Sequence, residues 1–207
     1  FTSFEKKPKW LIGFSDITVF HSYLNKFTGT ETLHAMMPFN FGKHHDHESQ
    51  DSLFRALSGK QLSYTFDPDP LNNPGEATGI ITGGNLSMLY SLNGTMYFPD
   101  LKNKILFIEE IDEYLYHIDR MMINLCLSGV LNKVKAVVVG GMTRMNDNLI
   151  PFGKNAYEII ADILSGFNIP YCFNFPAGHG YKNHTLIFGR VATLRVKGNG
   201  CSLTFNP

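Results

Sequence analysis

Short apolar runs alternate along the chain with segments whose apolar residues recur at helical spacing. The runs Lys9–Gly13 (KWLIG), Lys104–Ile108 (KILFI) and Ala136–Val139 (AVVV) predict buried strands, because they are short and nearly free of polar alternation. The segments Ile17–Leu24 and Tyr116–Leu127 place apolar residues on one helical face and predict amphipathic helices. This alternation of strands and helices predicts the α/β fold class.

The remaining elements follow the same two periods. We predict strands at Thr32–Met37 and Pro170–Phe175, helices at Ser49–Ser58, Leu86–Leu92 and Tyr157–Leu164, and antiparallel strands in the alternating tail Thr185–Phe205. Between about residues 40 and 79 the chain becomes rich in His, Pro, Asn and Gly, which favours a crossover between two structural units.

Composition narrows the function classes. Eighteen Lys+Arg balance eighteen Asp+Glu, which argues against a nucleic-acid binder with its usual basic face and gives no reason to expect an electrostatic membrane anchor. The longest uncharged stretch, 77–99, contains four glycines and fails as a membrane span. Three widely spaced cysteines predict reduced thiols in place of a disulfide framework or a zinc site.

The sequence Gly13-Phe14-Ser15-Asp16 places a serine at a predicted strand-to-helix turn. Such a turn exposes the hydroxyl beside backbone N–H groups that can stabilise an oxyanion, which is how a nucleophile elbow works. The pattern differs from G-x-S-x-G, and a Ser or Asp at this place is also a common helix N-cap. Both interpretations stay open from the residues alone.

Two further positions complete a candidate triad. Glu109 and Glu110 follow KILFI, where the carboxyl end of a buried strand meets the typical site of an α/β fold, although an acidic surface loop explains them equally well. His179 lies between two glycines that leave its imidazole accessible, and an ordinary exposed histidine is the alternative. In a triad of Ser15, Glu109 and His179, the imidazole would take the serine proton and the carboxylate would orient it.

Two rival sites are weaker. His44, His45, Asp46 and His47 resemble a metal cluster, but adjacent residues point in different directions and no second ligand set follows at usable spacing. We therefore expect a solvated loop and no metal. The glycine pairs at Gly83-Gly84-Asn85 and 140–141 match no phosphate-binding motif.

Six ordered segments resemble the LD-carboxypeptidases, a serine peptidase family that includes muramoyltetrapeptide carboxypeptidases and microcin C self-immunity peptidases. The matching segments are LIGFSDITVFHSYL, TLHAMMPFNFG, GIITGGNLSML, ILFIEEIDEYLYHIDRMMINLCLSG, KAVVVGGM and AGHGYKNHTLIFGRVATL. They occur in the order of the family, and the resemblance spans nearly the whole chain from residue 9 to residue 194. The resemblance maps the nucleophile onto Ser15, the acid onto Glu109 and the base onto His179.

The resemblance also implies the supporting residues and the domains. Asp16 would supply an oxyanion amide, and Gly84 and Asn85 would line the substrate cleft. Residues 1–48 would be the remnant of an N-terminal α/β nucleophile domain, 49–79 a crossover, and 80–207 a C-terminal α/β domain with a barrel-like sheet. A glycine-rich loop of the type RGGYG precedes the serine strand in the family. We expect this chain to lack it.

The implied function is a cytoplasmic serine carboxypeptidase of peptidoglycan recycling. It would hydrolyse the amide between the L-centre of a diamino acid and the terminal D-Ala of a murein tetrapeptide, with no cofactor, as a homodimer without nucleic-acid or membrane partners. Two alternatives are a self-immunity peptidase that acts on a peptidyl-nucleotide antibiotic and a non-catalytic fragment that lacks the oxyanion loop. The self-immunity activity needs an aromatic platform for a nucleobase, and we expect Trp10 to be buried in a strand.

Overall fold

The fold is built from two β-sheets and the helices that cover them. The computed structural model describes residues 2–41 and 46–207. Its helices are α1 (Thr2–Lys6), α2 (Thr18–Phe27), α3 (His47–Leu57), α4 (Leu86–Leu92), α5 (Leu115–Leu127) and α6 (Ala156–Leu164). Its strands are β1 (Ile12–Gly13), β2 (Thr32–His34), β3 (Ser63–Phe66), β4 (Gly75–Asn85), β5 (Ile105–Ile111), β6 (Ala136–Thr143), β7 (Tyr171–Cys172), β8 (Leu186–Phe188), β9 (Val191–Lys197) and β10 (Gly200–Phe205). Short 3-10 helices span Ser15–Ile17 and Pro38–Asn40.

The larger sheet has seven strands in the order β3-β10-β9-β4-β5-β6-β7. Strands β4 to β7 run parallel, with helices as their connections, whereas β3, β10 and β9 form antiparallel pairs and β9 pairs antiparallel with β4. A bridge between Asn73 and Tyr171 brings the β3–β4 connection back to the far edge of the sheet. The predicted α/β class and the predicted antiparallel tail are therefore confirmed.

A smaller sheet joins segments that are far apart along the chain. Its order is β1-β2-β8, with β1 parallel to β2 and β2 antiparallel to β8. Thr32 lies opposite Phe188 and His34 opposite Leu186. The strand that leads into Ser15 is thus held in one sheet with the segment that follows His179.

Side chains of the parallel strands alternate between two cores. In β5, Ile105 and Phe107 face the core shared with the smaller sheet and α3, whereas Leu106 and Ile108 face the core formed with α4, α5 and α6. All four side chains are fully buried. A strand covered on both faces reads as a continuous apolar run, which explains KILFI and AVVV in the sequence.

Some predicted boundaries differ from the structure. The strand that begins with KILFI extends to Ile111, so Glu109 and Glu110 lie inside β5 and are not in a following loop. The expected crossover 49–79 contains most of α3, all of β3 and the start of β4, and both strands belong to the larger sheet. Trp10 precedes β1 and is 39% exposed, so the expectation that it is buried in a strand is wrong.

In the described part of the chain, no helix is long and apolar enough to cross a bilayer.

Candidate active site

Ser15 occupies a strained turn between β1 and α2. It is the first residue of the 3-10 helix Ser15–Ile17, and its φ of 62° lies in the left-handed region that non-glycine residues rarely adopt. Phe14 holds the N-cap position, and no side chain caps the helix. Since Ser15 makes no side-chain hydrogen bond within residues 2–41 and 46–207, the N-cap interpretation does not describe it. Strain of this kind clusters at functional sites.

Asp16 follows in the same turn and has an exposed side chain. Backbone N–H groups in the first turn of a helix have no partner within the helix, so its amide is available to an incoming oxygen.

Glu109 and His179 form a buried hydrogen-bonded pair. The distance between His179 Nδ1 and Glu109 Oε2 is 2.7 Å, and the Glu109 side chain has no solvent exposure. Glu109 Oε1 has no hydrogen-bond partner in the described chain. Burial raises the pKa of this carboxyl, and the hydrogen bond and charge of His179 oppose the shift.

Glu110 points to the opposite side of β5, as strand alternation requires. Its Oε1 accepts hydrogen bonds from Asn85 Nδ2 (2.8 Å) and from the Ile111 amide (2.9 Å), and its Oε2 accepts one from the Ser87 amide (2.7 Å). Glu110 is thus used to anchor the start of α4, and the structure places Glu109 alone against the imidazole.

The loop that carries His179 is fixed by Gly178 and Asn183. Gly178 has a φ of 121°, and a Cβ there would lie 2.9 Å from Glu109 Oε2, so a glycine lets the loop approach the carboxylate. Its amide donates to Asn183 Oδ1 at 3.1 Å, and the Asn183 amide donates to Ser49 Oγ at 2.7 Å. The loop is therefore tied to the first turn of α3.

The serine turn and the histidine loop lie side by side. The ring centroids of Phe14 and His179 are 4.7 Å apart in an edge-on contact. Among the described residues no hydrogen bond joins Ser15 Oγ to His179, whose second ring nitrogen, Nε2, also has no hydrogen-bond partner. A cavity of about 220 Å³ adjoins this contact and is lined by residues that include Phe14, Phe39, His179 and Tyr181.

Gly84 and Asn85 have strong packing and capping roles. A Cβ on Gly84 would lie 2.3 Å from Thr18 Oγ1, so the glycine allows β4 to touch the start of α2. Asn85 is 4% exposed; its Oδ1 caps α4 by accepting from the Met88 amide, and its Nδ2 donates to Glu110. Their expected contact with substrate stays a prediction.

Two buried histidines beneath the serine turn were not predicted from the sequence. His21 Nε2 lies 3.0 Å from the Gly13 carbonyl oxygen, and burial lowers the pKa of His21 to about 4. Burial, followed by the charges of His21 and His179, lowers the pKa of His34 well below its usual value. Both histidines lie in apolar segments of the sequence. A polar residue at a position where the pattern predicts a core residue is the only sequence signal that could have identified them.

The histidine-rich segment is only partly described, because His44 and His45 lie outside the described residues. Asp46 is 8% exposed and caps α3, with Oδ1 accepting from the Ser49 amide at 3.0 Å. The expectation of a solvated loop is therefore wrong for Asp46, which is buried and caps α3.

A histidine–carboxylate pair beside a strained strand-to-helix turn, in a mixed α/β fold, is a candidate catalytic arrangement. Comparison with known families then identifies the lineage: the chain belongs to the LD-carboxypeptidase family. The model of the LD-carboxypeptidase C-terminal domain matches residues 78–194, and that of the N-terminal domain matches residues 1–35. The resemblance noted in the sequence is thereby confirmed.

Individual relatives agree. A probable murein peptide carboxypeptidase of Bacillus subtilis is 32% identical over 204 residues, which cover 95% of this chain and 63% of that protein. The microcin C7 self-immunity protein MccF of Escherichia coli is 27% identical over 95% of this chain and 66% of its own length. The crystal structure of muramoyltetrapeptide carboxypeptidase from Oxalobacter formigenes has a TM-score of 0.89 at 29% identity, covering 98% of this chain and 70% of that one. The chain thus spans about 63% of the length of the B. subtilis relative.

Proposed function

We propose that this chain is a serine carboxypeptidase that removes the terminal D-Ala from murein tetrapeptides. The observation that carries the proposal is the buried Glu109–His179 pair beside the strained Ser15 turn. The murein-related names of the B. subtilis and O. formigenes relatives support the substrate class.

The proposed mechanism assigns one role to each residue. With its Nδ1–H donated to Glu109, His179 presents a basic Nε2 to the serine side of the site. His179 takes the proton of Ser15 as the hydroxyl attacks the carbonyl carbon, and it returns the proton to the nitrogen of the departing D-Ala. Water then hydrolyses the acyl-enzyme by the same route. The Asp16 amide helps to stabilise the oxyanion in both steps.

Closure of the site is part of this proposal. Ser15 and His179 belong to neighbouring segments that touch through Phe14 without a hydrogen bond between the catalytic atoms. Catalytic hydrogen bonds are often long in unliganded enzymes and shorten when substrate binds. Bound peptide in the 220 Å³ cavity would therefore bring Ser15 Oγ and His179 Nε2 together.

The test is release of D-Ala from a murein tetrapeptide by the 207-residue chain and its variants. Ser15→Ala and His179→Ala should each lower kcat by roughly 10⁴- to 10⁶-fold, and the double variant should be no slower than the singles, because the residues act as a unit. Ser91→Ala, on the exposed side of α4, is the matched control and should keep full activity. Additive losses would contradict a shared mechanism.

Three outcomes would separate the alternatives. Cleavage of an aminoacyl-sulfamoyl adenylate in preference to the tetrapeptide would favour the self-immunity activity, for which MccF is the relevant relative. Binding of tetrapeptide without turnover would indicate a non-catalytic module. EDTA should leave turnover intact, since neither of the two proposed steps needs a metal; loss on chelation with recovery on zinc would contradict the mechanism.

We further propose a cytoplasmic homodimer, as the recycling of cell-wall peptides by this family implies. The exposed aromatic side chains Phe27 and Tyr97 contact each other and the half-buried Tyr23, and they offer an apolar surface for such an interface. Light scattering on the purified chain distinguishes a dimer of twice 23.3 kDa from a monomer.

A further inference from the structure

Three side chains that are distant in sequence meet at the first turn of α3, away from the proposed triad. They are Asp46, Glu48 and His184, and one ligand atom from each lies within 4.8 Å of the others. His184 Nε2 lies 3.6 Å from Glu48 Oε2. His184 supplies the second ligand set that the sequence around Asp46 lacks.

His184 is buried without a hydrogen-bond partner in the described chain. It is 9% exposed, and neither of its ring nitrogens has a hydrogen-bond partner in the described chain. Its ring stacks on Tyr64, with centroids 5.2 Å apart, and the Tyr64 hydroxyl donates to the Thr185 carbonyl at 2.7 Å. The stacking holds the imidazole in a fixed plane, with a ring nitrogen within 4.8 Å of a carboxylate oxygen of each of the two acids. An unsatisfied buried polar atom of this kind points to a missing ligand.

We propose that Asp46, Glu48 and His184 bind one divalent transition-metal ion of the zinc type. Imidazole and carboxylate ligands suit Zn²⁺, which takes three protein ligands and leaves a fourth position for water. Zinc ligands in a tetrahedral site lie about 3.4 Å apart, given metal–ligand distances of roughly 2.0–2.2 Å. The observed spacing needs only a small closure of exposed Glu48 toward His184.

The protein already neutralises this cluster in part. Lys182 Nζ lies 2.9 Å from Glu48 Oε2, the oxygen that faces His184. Asp46 accepts hydrogen bonds from the amide and hydroxyl of Ser49, but each carboxylate oxygen keeps a second lone pair. A metal ion would therefore compete with Lys182 for Glu48. A cavity of about 540 Å³ that reaches Glu48 and His184 gives the ion a route in.

Metal at this position would link the histidine loop to α3. His184 and Asn183 belong to the segment after His179, and Asn183 already binds Ser49 in the first turn of α3. Bound metal would add a second and stronger tie between the same two segments. We expect it to raise the stability of the chain without taking part in the reaction.

The test is calorimetric titration of ZnCl₂ into the EDTA-treated and dialysed 207-residue chain. One equivalent should bind, His184→Gln should weaken binding by about 100-fold or more, and Glu48→Gln by about tenfold or more. Glu48 is well exposed, so its variant tests the site even if His184→Gln folds poorly. Lys182→Ala should tighten binding, because it removes the competing cation.

The matched control is His117→Gln. His117 forms a partly exposed pair with Glu113 at 2.9 Å on α5, and its loss should leave zinc affinity unchanged. Zinc should raise the Tm of the wild-type chain and of this control by more than that of Glu48→Gln at the same zinc concentration. Absence of zinc binding, or binding that Glu48→Gln and His184→Gln leave intact while His44→Gln or His45→Gln abolishes it, would overturn the proposal.

Discussion

Nδ1 of His179 lies 2.7 Å from Oε2 of Glu109, a carboxylate with no solvent exposure. Seventy residues of chain separate the two, and they meet because β5 and the loop after β7 reach the same edge of the parallel sheet. The adjacent Glu110 is engaged on the other side by Asn85 and the amide of Ser87. The two neighbouring carboxylates therefore have different roles, which single substitutions at each position can distinguish.

Glu109→Gln should mainly lower turnover, whereas Glu110→Gln should mainly lower stability. Glu109→Gln removes the charge that stabilises an imidazolium, so kcat should fall by roughly 10³- to 10⁴-fold. Glu110→Gln places an amide N–H₂ among three donors, so it should lower Tm while kcat changes by less than about tenfold. D-Ala release and thermal denaturation measure the two effects. A larger loss of kcat for Glu110→Gln would reverse the assignment of the acid.

Because Glu109 is buried, its contribution to the stability of the fold should depend on pH. Because its pKa is raised in the folded chain, the folded state binds more protons than the unfolded state just above the ordinary Glu pKa of 4.5. This carboxyl therefore lowers stability as pH rises through that window. Glu109→Gln should raise Tm at pH 7 to 8, and the difference from wild type should vanish below about pH 4.

Glu113→Gln is the control for that experiment, since Glu113 is partly exposed and pairs with His117 on the surface. Its Tm should follow the wild-type curve closely. A Tm of Glu109→Gln below that of wild type at neutral pH would mean that the His179 interaction outweighs the cost of burial.

Strain at Ser15 should be measurable as stability. With φ at 62°, Ser15→Gly relieves about 1–2 kcal/mol of left-handed strain and costs about 0.5–1 kcal/mol in unfolded-chain entropy. The variant should be inactive and slightly more stable in urea denaturation. Ser58→Gly, at a helix C-cap with φ of −88°, has no such strain and should be less stable than wild type. Destabilisation by both variants would remove the argument for strain.

The contact between Gly84 and Thr18 should tolerate no side chain. A Cβ at Gly84 would overlap Thr18 Oγ1, and the φ of 138° excludes most other residues, so Gly84→Ala should cost about 1–3 kcal/mol. That is roughly 2–4 °C in Tm for each kcal/mol in a chain of this size. Gly198→Ala, which has open space around it, should leave Tm nearly unchanged.

The local sequence pattern was sufficient to predict the helices and strands whose apolar residues recur with a clear period. Helix α4 was predicted with its observed bounds, and α5 and α6 differ by one residue, because an apolar face repeating every three to four residues is unambiguous. Strands β5 and β6 were found as apolar runs, since both faces are buried. Gly129 ends α5 with a φ of 72°, as a C′ glycine does.

The missed elements depend on partners elsewhere in the chain. Strand β3 alternates weakly and gains its order from β10, about 140 residues later. Strand β8 lies within the predicted tail, but its pairing with β2 was not predicted. In the same way, side-chain alternation separated Glu109 from Glu110, whereas no local pattern could place His184 beside Asp46. Contacts of this kind are set by tertiary packing, which a single sequence does not display.

The pairing of β2 with β8 also has a consequence for biosynthesis. The ribosome delivers β2 before β8, and the small sheet cannot close until Leu186–Phe188 has emerged, more than 150 residues after the strand it joins. Contacts so distant along the chain form slowly, because a long loop must close before they contribute. The nascent protein therefore carries an exposed serine turn and an unpaired edge of β2 while the intervening residues are synthesised, and the proposed triad can assemble only after His179 has emerged.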